Sequence, residues 1–121
     1  MNSKIDKVEM VRDDHRTVRA SGKIEWDSDE VSATFVVTIA QLKPQGRIVY
    51  AIGRSARTVR PSDGSWQVDA VIVDPDDQFQ FDIPVNGWSE ASVKDTDGRF
   101  EPYPWETKDL VIERAAAAVP Q

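Results

Sequence analysis

The chain has no cysteine, one histidine, and no apolar run near the length of a membrane-spanning helix. The missing cysteines exclude disulfides, thiolate metal sites and cysteine nucleophiles together. The one histidine, His15, sits beside Asp13 and Asp14 in a polar turn. Zinc sites usually need several His or Cys ligands, and a triad needs an imidazole held by a carboxylate against a nucleophile. His15 is therefore read as an ordinary surface histidine. No glycine-rich loop of the phosphate-cradling kind is present either.

A transmembrane helix requires about 20 apolar residues in succession, and none is found. The first residues, Met-Asn-Ser-Lys-Ile-Asp-Lys, carry basic groups with no apolar stretch behind them. That is not a secretory signal, so a cytoplasmic location is expected. Positive charge is also in deficit, with 15 Lys and Arg against 21 Asp and Glu and a net charge of -6. Lys and Arg supply most of the affinity for phosphate backbones and anionic lipid, so neither nucleic acid nor membrane is an expected partner. The remainder is ordinary for a soluble domain, at 40% hydrophobic and 30% charged. A chain of 121 residues fits a single domain over 1–121 with room for a core.

The strongest positive signal is alternation. Val18, Ala20, Gly22, Ile24 and Trp26 share one parity, against Arg19, Ser21, Lys23 and Glu25 on the other. Val31, Ala33, Phe35, Val37 and Ile39 repeat the pattern, against Ser32, Thr34 and Thr38. Successive strand side chains point to opposite faces, so each stretch has one face in a core and one in water. All seven prolines fall where alternation breaks. Strands are expected near 4–12, 17–27, 31–42, 47–59, 66–73, 78–83, 88–94 and 108–114, with the tail 115–121 frayed. Expected inward residues include Ile48, Tyr50, Ile52, Trp66, Val68, Phe79, Phe81 and Ile83, while Trp88 is out of phase with Ala91 and Val93. Gly22 and Gly53 lie inside strands, which marks bulges or close approaches.

Evenly spaced short strands with turn residues between them predict an all-β antiparallel sandwich of seven to eight strands. The pattern resembles the immunoglobulin-like sandwich in general architecture, without its inter-sheet cysteine pair.

Three groups of residues are candidate sites. Counting strands brings the turns at 13–16, 43–46, 74–77 and 95–98 to one end, which would gather Asp13, Asp14, Asp74, Asp76, Asp77, Asp95 and Asp97, the last five being the candidate calcium ligands. Calcium takes roughly 6–8 oxygen ligands and suits such loops. The competing account is that Asp favours turns because its side chain bonds the backbone two residues on. The segment Phe100-Glu101-Pro102-Tyr103-Pro104-Trp105 either caps an edge or presents Tyr103 and Trp105 as a binding platform. Lys43, Arg47, Arg54, Arg57 and Arg60 form a basic window in an acidic chain, and Arg54 and Arg57 could dock an acidic partner. The bland alternative is charge that blocks edge-to-edge strand pairing.

With no high-specificity catalytic constellation, the expected function is a non-enzymatic binding or protein-interaction module without a cofactor, apart from the candidate calcium. The alternatives are a carbohydrate-binding domain using Tyr103 and Trp105, and a structural subunit of a larger assembly. A cleft holding Tyr103 or Trp105 beside two acids favours sugar. A flat exposed apolar patch favours assembly.

Overall fold

The computed structural model describes residues 1–114. Alternation becomes strand at Asn2–Ser3 (β1), Lys7–Met10 (β2), Thr17–Glu25 (β3), Glu30–Leu42 (β4), Ile48–Arg54 (β5), Ser65–Ile72 (β6), Val85–Asp95 (β7), Phe100–Leu110 (β8) and Ile112–Arg114 (β9). A 3-10 turn at Pro61–Asp63 precedes β6, and no α-helix occurs among the described residues. The tail expected to fray, 115–121, lies outside the described residues.

One hydrogen-bonded path runs β8-β7-β4-β5-β6-β3-β2-β9, with β1 added on β3. The first and last strands of that path are separated in sequence by Val111 alone, so the sheet has to curl until its two ends approach. The all-β class follows from the alternation. Two features depart from the expected antiparallel sandwich of seven to eight strands: β2 and β9 pair in parallel, and the strands form a single curled, half-barrel-like mixed sheet.

The inner face is filled by Phe35, Val37 and Ile39 of β4, Val18 and Ala20 of β3, and Val68 and Ala70 of β6, all buried. Phe35 and Trp66 stack with centroids 4.7 Å apart and 12° between planes. Trp66 Nε1 donates to Ser3 Oγ at 2.9 Å, and that hydroxyl donates to the Lys23 carbonyl at 2.7 Å. Gly22 lies directly under the Lys4 carbonyl and the Trp66 ring, and Gly53 under the Asp69 carbonyl, so neither position has room for a Cβ. Both glycines thus sit at close backbone approaches. Trp26 and Phe81 are half-buried at the margin of the core.

Four expectations about strands and turns are corrected, and with them those for His15 and for Val31, which is exposed where the register shifts between Glu30 and Ser32. In β5 the inward residues are Val49 and Ala51, opposite Gln41 and Ile39, while Ile48, Tyr50 and Ile52 face out. Both parities of that strand are apolar, so alternation could not choose between them and the partner strand does.

Residues 78–83 keep the alternation of a strand but form none. Their backbone is satisfied by a buried side chain instead: Gln41 Nε2 donates to the Gln80 and Ile83 carbonyls, each at 2.8 Å, and Gln41 Oε1 accepts the Gln80 N–H at 3.0 Å. His15 clamps the same segment. Its carbonyl accepts the Phe79 N–H at 2.8 Å, its Nδ1–H donates to the Phe79 carbonyl at 3.2 Å, and its ring meets Phe81 edge-on at 5.4 Å. His15 is therefore half-buried and structural, in place of an ordinary surface group.

Residues 100–110 form a full strand in spite of two prolines. Pro102 and Pro104 are two apart, so their nitrogens face one side, and β8 is bonded on one side only, to β7. A strand at that position loses no ladder bond to a proline whose nitrogen turns outward.

The fourth correction follows from the second. With one strand fewer before β7, the turn at 95–98 changes ends: the Thr96 N–H donates to the Asp29 carbonyl at 2.9 Å, beside the β3–β4 turn. The turns at 13–16, 43–46 and 74–77 remain together at the opposite end, where Arg47 pairs with Asp77 and the Ile72 N–H reaches the Arg16 carbonyl.

Gln41→Leu keeps the volume but strips three partially buried backbone groups of their partner, and it should lower the unfolding free energy by about 2–4 kcal/mol. Phe35→Ala should cost about 3–5 kcal/mol through lost burial and the cavity under Trp66. Urea unfolding measures both; a Gln41→Leu protein as stable as the parent would show that residues 78–83 do not depend on that side chain.

Candidate functional site

The outer side of the sheet is where the sequence and the solvent disagree. Cross-strand register aligns Trp88 of β7, Thr38 of β4, Ile52 of β5 and Val71 of β6 in one row. The next row holds Asn86, Ala40 and Tyr50, with Val73 alongside through its N–H to the Tyr50 carbonyl at 3.0 Å. Leu42 and Ile48 make the third. Val36, Leu42, Ile48, Tyr50, Ile52, Val71, Val73 and Trp88 are all exposed, Ile52 at 51% and Leu42 at 62%.

From Val36 to Leu42 is about 20 Å along the strand, and four strands span about 14 Å. An apolar sheet face of this kind is ordinarily covered by a helix or another sheet. Polar residues close its upper margin, where Glu90 and Arg54 flank Val36 and Arg19 pairs with Asp69 at 2.8 Å.

At the β7 and β8 side the face dips into a groove of about 590 Å³ around Trp88, with Glu90, Glu106, Pro104 and Trp105 on its walls. Tyr103 and Trp105 themselves are half-buried on the core side of β8, their rings 6.2 Å apart and nearly parallel at 13°. The aromatic segment thus chiefly closes the sheet margin, with Trp105 also reaching the groove. The Tyr103 hydroxyl donates to the Glu101 carboxylate at 3.1 Å, and this bond, with burial and nearby acids, raises the phenol above its ordinary value of 10.0.

The other candidates are dispersed. Arg54 lies on the outer face of β5, three strands from Tyr103 and Trp105, and Arg57 lies in the loop after β5, so the four do not form one site. Among the described residues Arg54, Arg57 and Arg60 form no ion pair. Asp74, Asp76 and Asp77 are at one end, Asp95 and Asp97 at the other. Asp74 accepts the Asp76 N–H, Asp95 accepts those of Asp97 and Arg99, each at 2.9 Å, and the buried Asp77 pairs with Arg47. Among the described residues no three acidic or histidine side chains converge.

A second cavity, of about 870 Å³, opens where β5 and β6 part. These strands pair only at Ala51↔Ile72 and Ile52↔Val71. Sequence reasoning missed both this split and the outer face. The available signals were Trp88, whose parity clashes with Ala91 and Val93 because it belongs to the outer set, and the run Ile48 to Ile52, apolar on both parities.

Comparison of the chain with protein-family models, with curated proteins and with solved structures finds no match. Among the described residues no helix is long and apolar enough to cross a membrane.

The neutral phenol is the form that donates to Glu101, so the stability contributed by this bond is present below pH 10 and lost as pH rises through the elevated value. In a Tyr50→Phe background, ultraviolet titration should place the Tyr103 midpoint above 10, and Glu101→Ala should lower it. An unchanged midpoint in Glu101→Ala would mean the hydrogen bond is not what holds the proton.

Proposed function

We propose that the protein is a non-enzymatic interaction module that docks another protein through the apolar outer face of β4, β5, β6 and β7. The observation that carries this reading is the continuous set Trp88, Ile52, Val71, Tyr50, Leu42 and Ile48, exposed in three aligned rows. Single exposed apolar side chains need no explanation, but a contiguous patch of this breadth is characteristic of a docking surface. Tyr50 within it and Trp88 at its β7 margin are of the residue types enriched in interface anchors. The partner that fits is a flat or gently concave protein surface with matching apolar side chains and little charge at its middle.

A benzophenone amino acid placed at position 52 or 71 should crosslink in cells to a discrete protein, whereas the same group at position 113 should not. Ile52→Glu, being on an exposed face, should change folding stability by no more than about 0.5 kcal/mol. In contrast, Ile52→Glu should weaken the partner by tenfold or more, about 1.4 kcal/mol. Identical adducts from positions 52 and 113 would sink the reading.

One observation favours a second reading. The groove beside Trp88 sets an aromatic ring next to two carboxylates, Glu106 across the ladder and Glu90 two residues on along β7, an arrangement suited to a sugar ring whose hydroxyls reach both. Oligosaccharide titration followed by tryptophan fluorescence should then show saturable quenching that Trp88→Ala removes; sugars that leave the spectrum unmoved would leave the protein-docking reading alone.

A further inference from the structure

Among the described residues, the split between β5 and β6 leaves a strand edge without a partner. Even-numbered residues of β6 bond β3, as the Ile72 N–H to the Arg16 carbonyl at 2.9 Å shows, and odd-numbered positions turn to the β5 side, as the Val73 N–H to the Tyr50 carbonyl at 3.0 Å shows. The β5 ladder ends at Ile52↔Val71, and beyond the close contact of Gly53 with the Asp69 carbonyl the chain leaves β6 altogether.

It is held elsewhere. The Ser55 N–H donates to the Phe35 carbonyl at 2.8 Å, the Phe35 N–H donates to Ser55 Oγ at 3.0 Å, and Val59 exchanges two 2.8 Å backbone bonds with Ala33. Residues 55–59 are thereby tied to β4, and the backbone groups of Ser65 and Gln67 face a cleft instead of a strand.

The cleft is lined by three basic residues, Lys7, Lys23 and Arg57, against two acids, Asp6 and Asp63, in a chain of net charge -6. Arg57 and Lys23 reach it without an ion-pair partner among the described residues, and Arg60 lines the adjoining hollow that shares Arg57. Each acid at its rim turns one carboxylate oxygen to the protein's own backbone: Asp6 accepts the Lys23 backbone N–H at 3.0 Å and Asp63 accepts that of Arg60 at 2.8 Å. A free strand edge supplies main-chain hydrogen bonds to an extended segment, and flanking charge selects which segment.

We propose that the split between β5 and β6 is a strand-addition groove for an acidic, extended peptide segment, which pairs with Ser65 and Gln67 while its carboxylates meet Arg57 and Lys23. The groove is separate from the outer apolar face, and of the basic window in the sequence it uses Arg57, with Arg60 in the adjoining hollow.

The test uses the full chain, labelled with nitrogen-15, and a blocked hexapeptide alternating glutamate and valine. Expected results are shifts concentrated at Ser65, Gln67 and Arg57, and at least tenfold slower amide exchange at Ser65 and Gln67 in the complex. Arg57→Glu combined with Lys23→Glu should weaken binding tenfold or more, while Lys94→Glu, on β7 away from the cleft, should leave it unchanged. Added salt should weaken binding. Three further probes can overturn the proposal. A lysine–valine peptide that binds equally well removes the charge argument, and an N-methylated glutamate–valine peptide that binds equally well removes the strand pairing. Inorganic phosphate producing the same shifts would reduce the site to an anion pocket. Absence of shifts with the glutamate–valine peptide, shifts confined to Tyr50 and Ile52, or slow exchange at Gln67 already in the free protein, would each overturn it as well.

Discussion

The strand β4 is the constraint on which the rest depends. It pairs along most of its length with both β5 and β7, so its alternation fixes the inner face of its two neighbours through register. A one-residue slip would carry Phe35, Val37 and Ile39 to the solvent side and bring Val36, Thr38 and Ala40 inside. The Phe35 ring stacked on Trp66 makes that slip costly, because it joins β4 to β6 across the curled sheet rather than along it. Closing contacts of that kind are what a single curled sheet needs to hold its inner face together.

How much was legible in the sequence depended on whether local pattern and backbone satisfaction agreed. In β3 only one parity is apolar, and in β4 and β6 one parity is apolar through the middle of the strand while the other mixes polar residues with Val36, Leu42 and Val71, so their inner faces could be read directly. In β5 the run from Ile48 to Ile52 is apolar on both parities, so its orientation is decided by Ile39 and Gln41 across the ladder and by nothing local. The segment Phe79, Phe81 and Ile83 alternates like a strand, yet its hydrogen bonds go to one glutamine side chain and to His15, which no periodicity reports. Removing that one strand moves Asp95 and Asp97 to the far end. The single gathering of aspartates inferred from parity is therefore divided between two ends, and the carboxylates of Asp74 and Asp95 engage turn backbone as isolated turn-formers do.

The prolines of β8 show the same rule in reverse. They hide a strand from sequence reasoning because proline in a ladder is normally disruptive, but spacing them by two on an outermost strand makes their nitrogens face away from β7. The same placement has a second effect. A flat edge with every donor present invites another chain to pair with it, and β8 lacks two donors in succession on its free side. The sheet's opposite end is the three-residue strand β9.

Both candidate surfaces can be traced to the way β5 ends. Up to Ile52 the strand lies between β4 and β6, and its outward side chains join those of its neighbours in the apolar face. At Gly53 the backbone presses on the Asp69 carbonyl, and from Ser55 onward the chain is bonded to β4. The turn of the chain there ends the apolar rows, with Arg54 as the first charged outward residue, and at the same step uncovers the edge of β6. An edge uncovered in this way is bounded by the loop 55–59 on one side and by Asp69 at one end, so only a few residues of an incoming strand could pair with it. Such a site favours a short segment over indefinite sheet growth, which sets it apart physically from the open edges that β8 protects with proline.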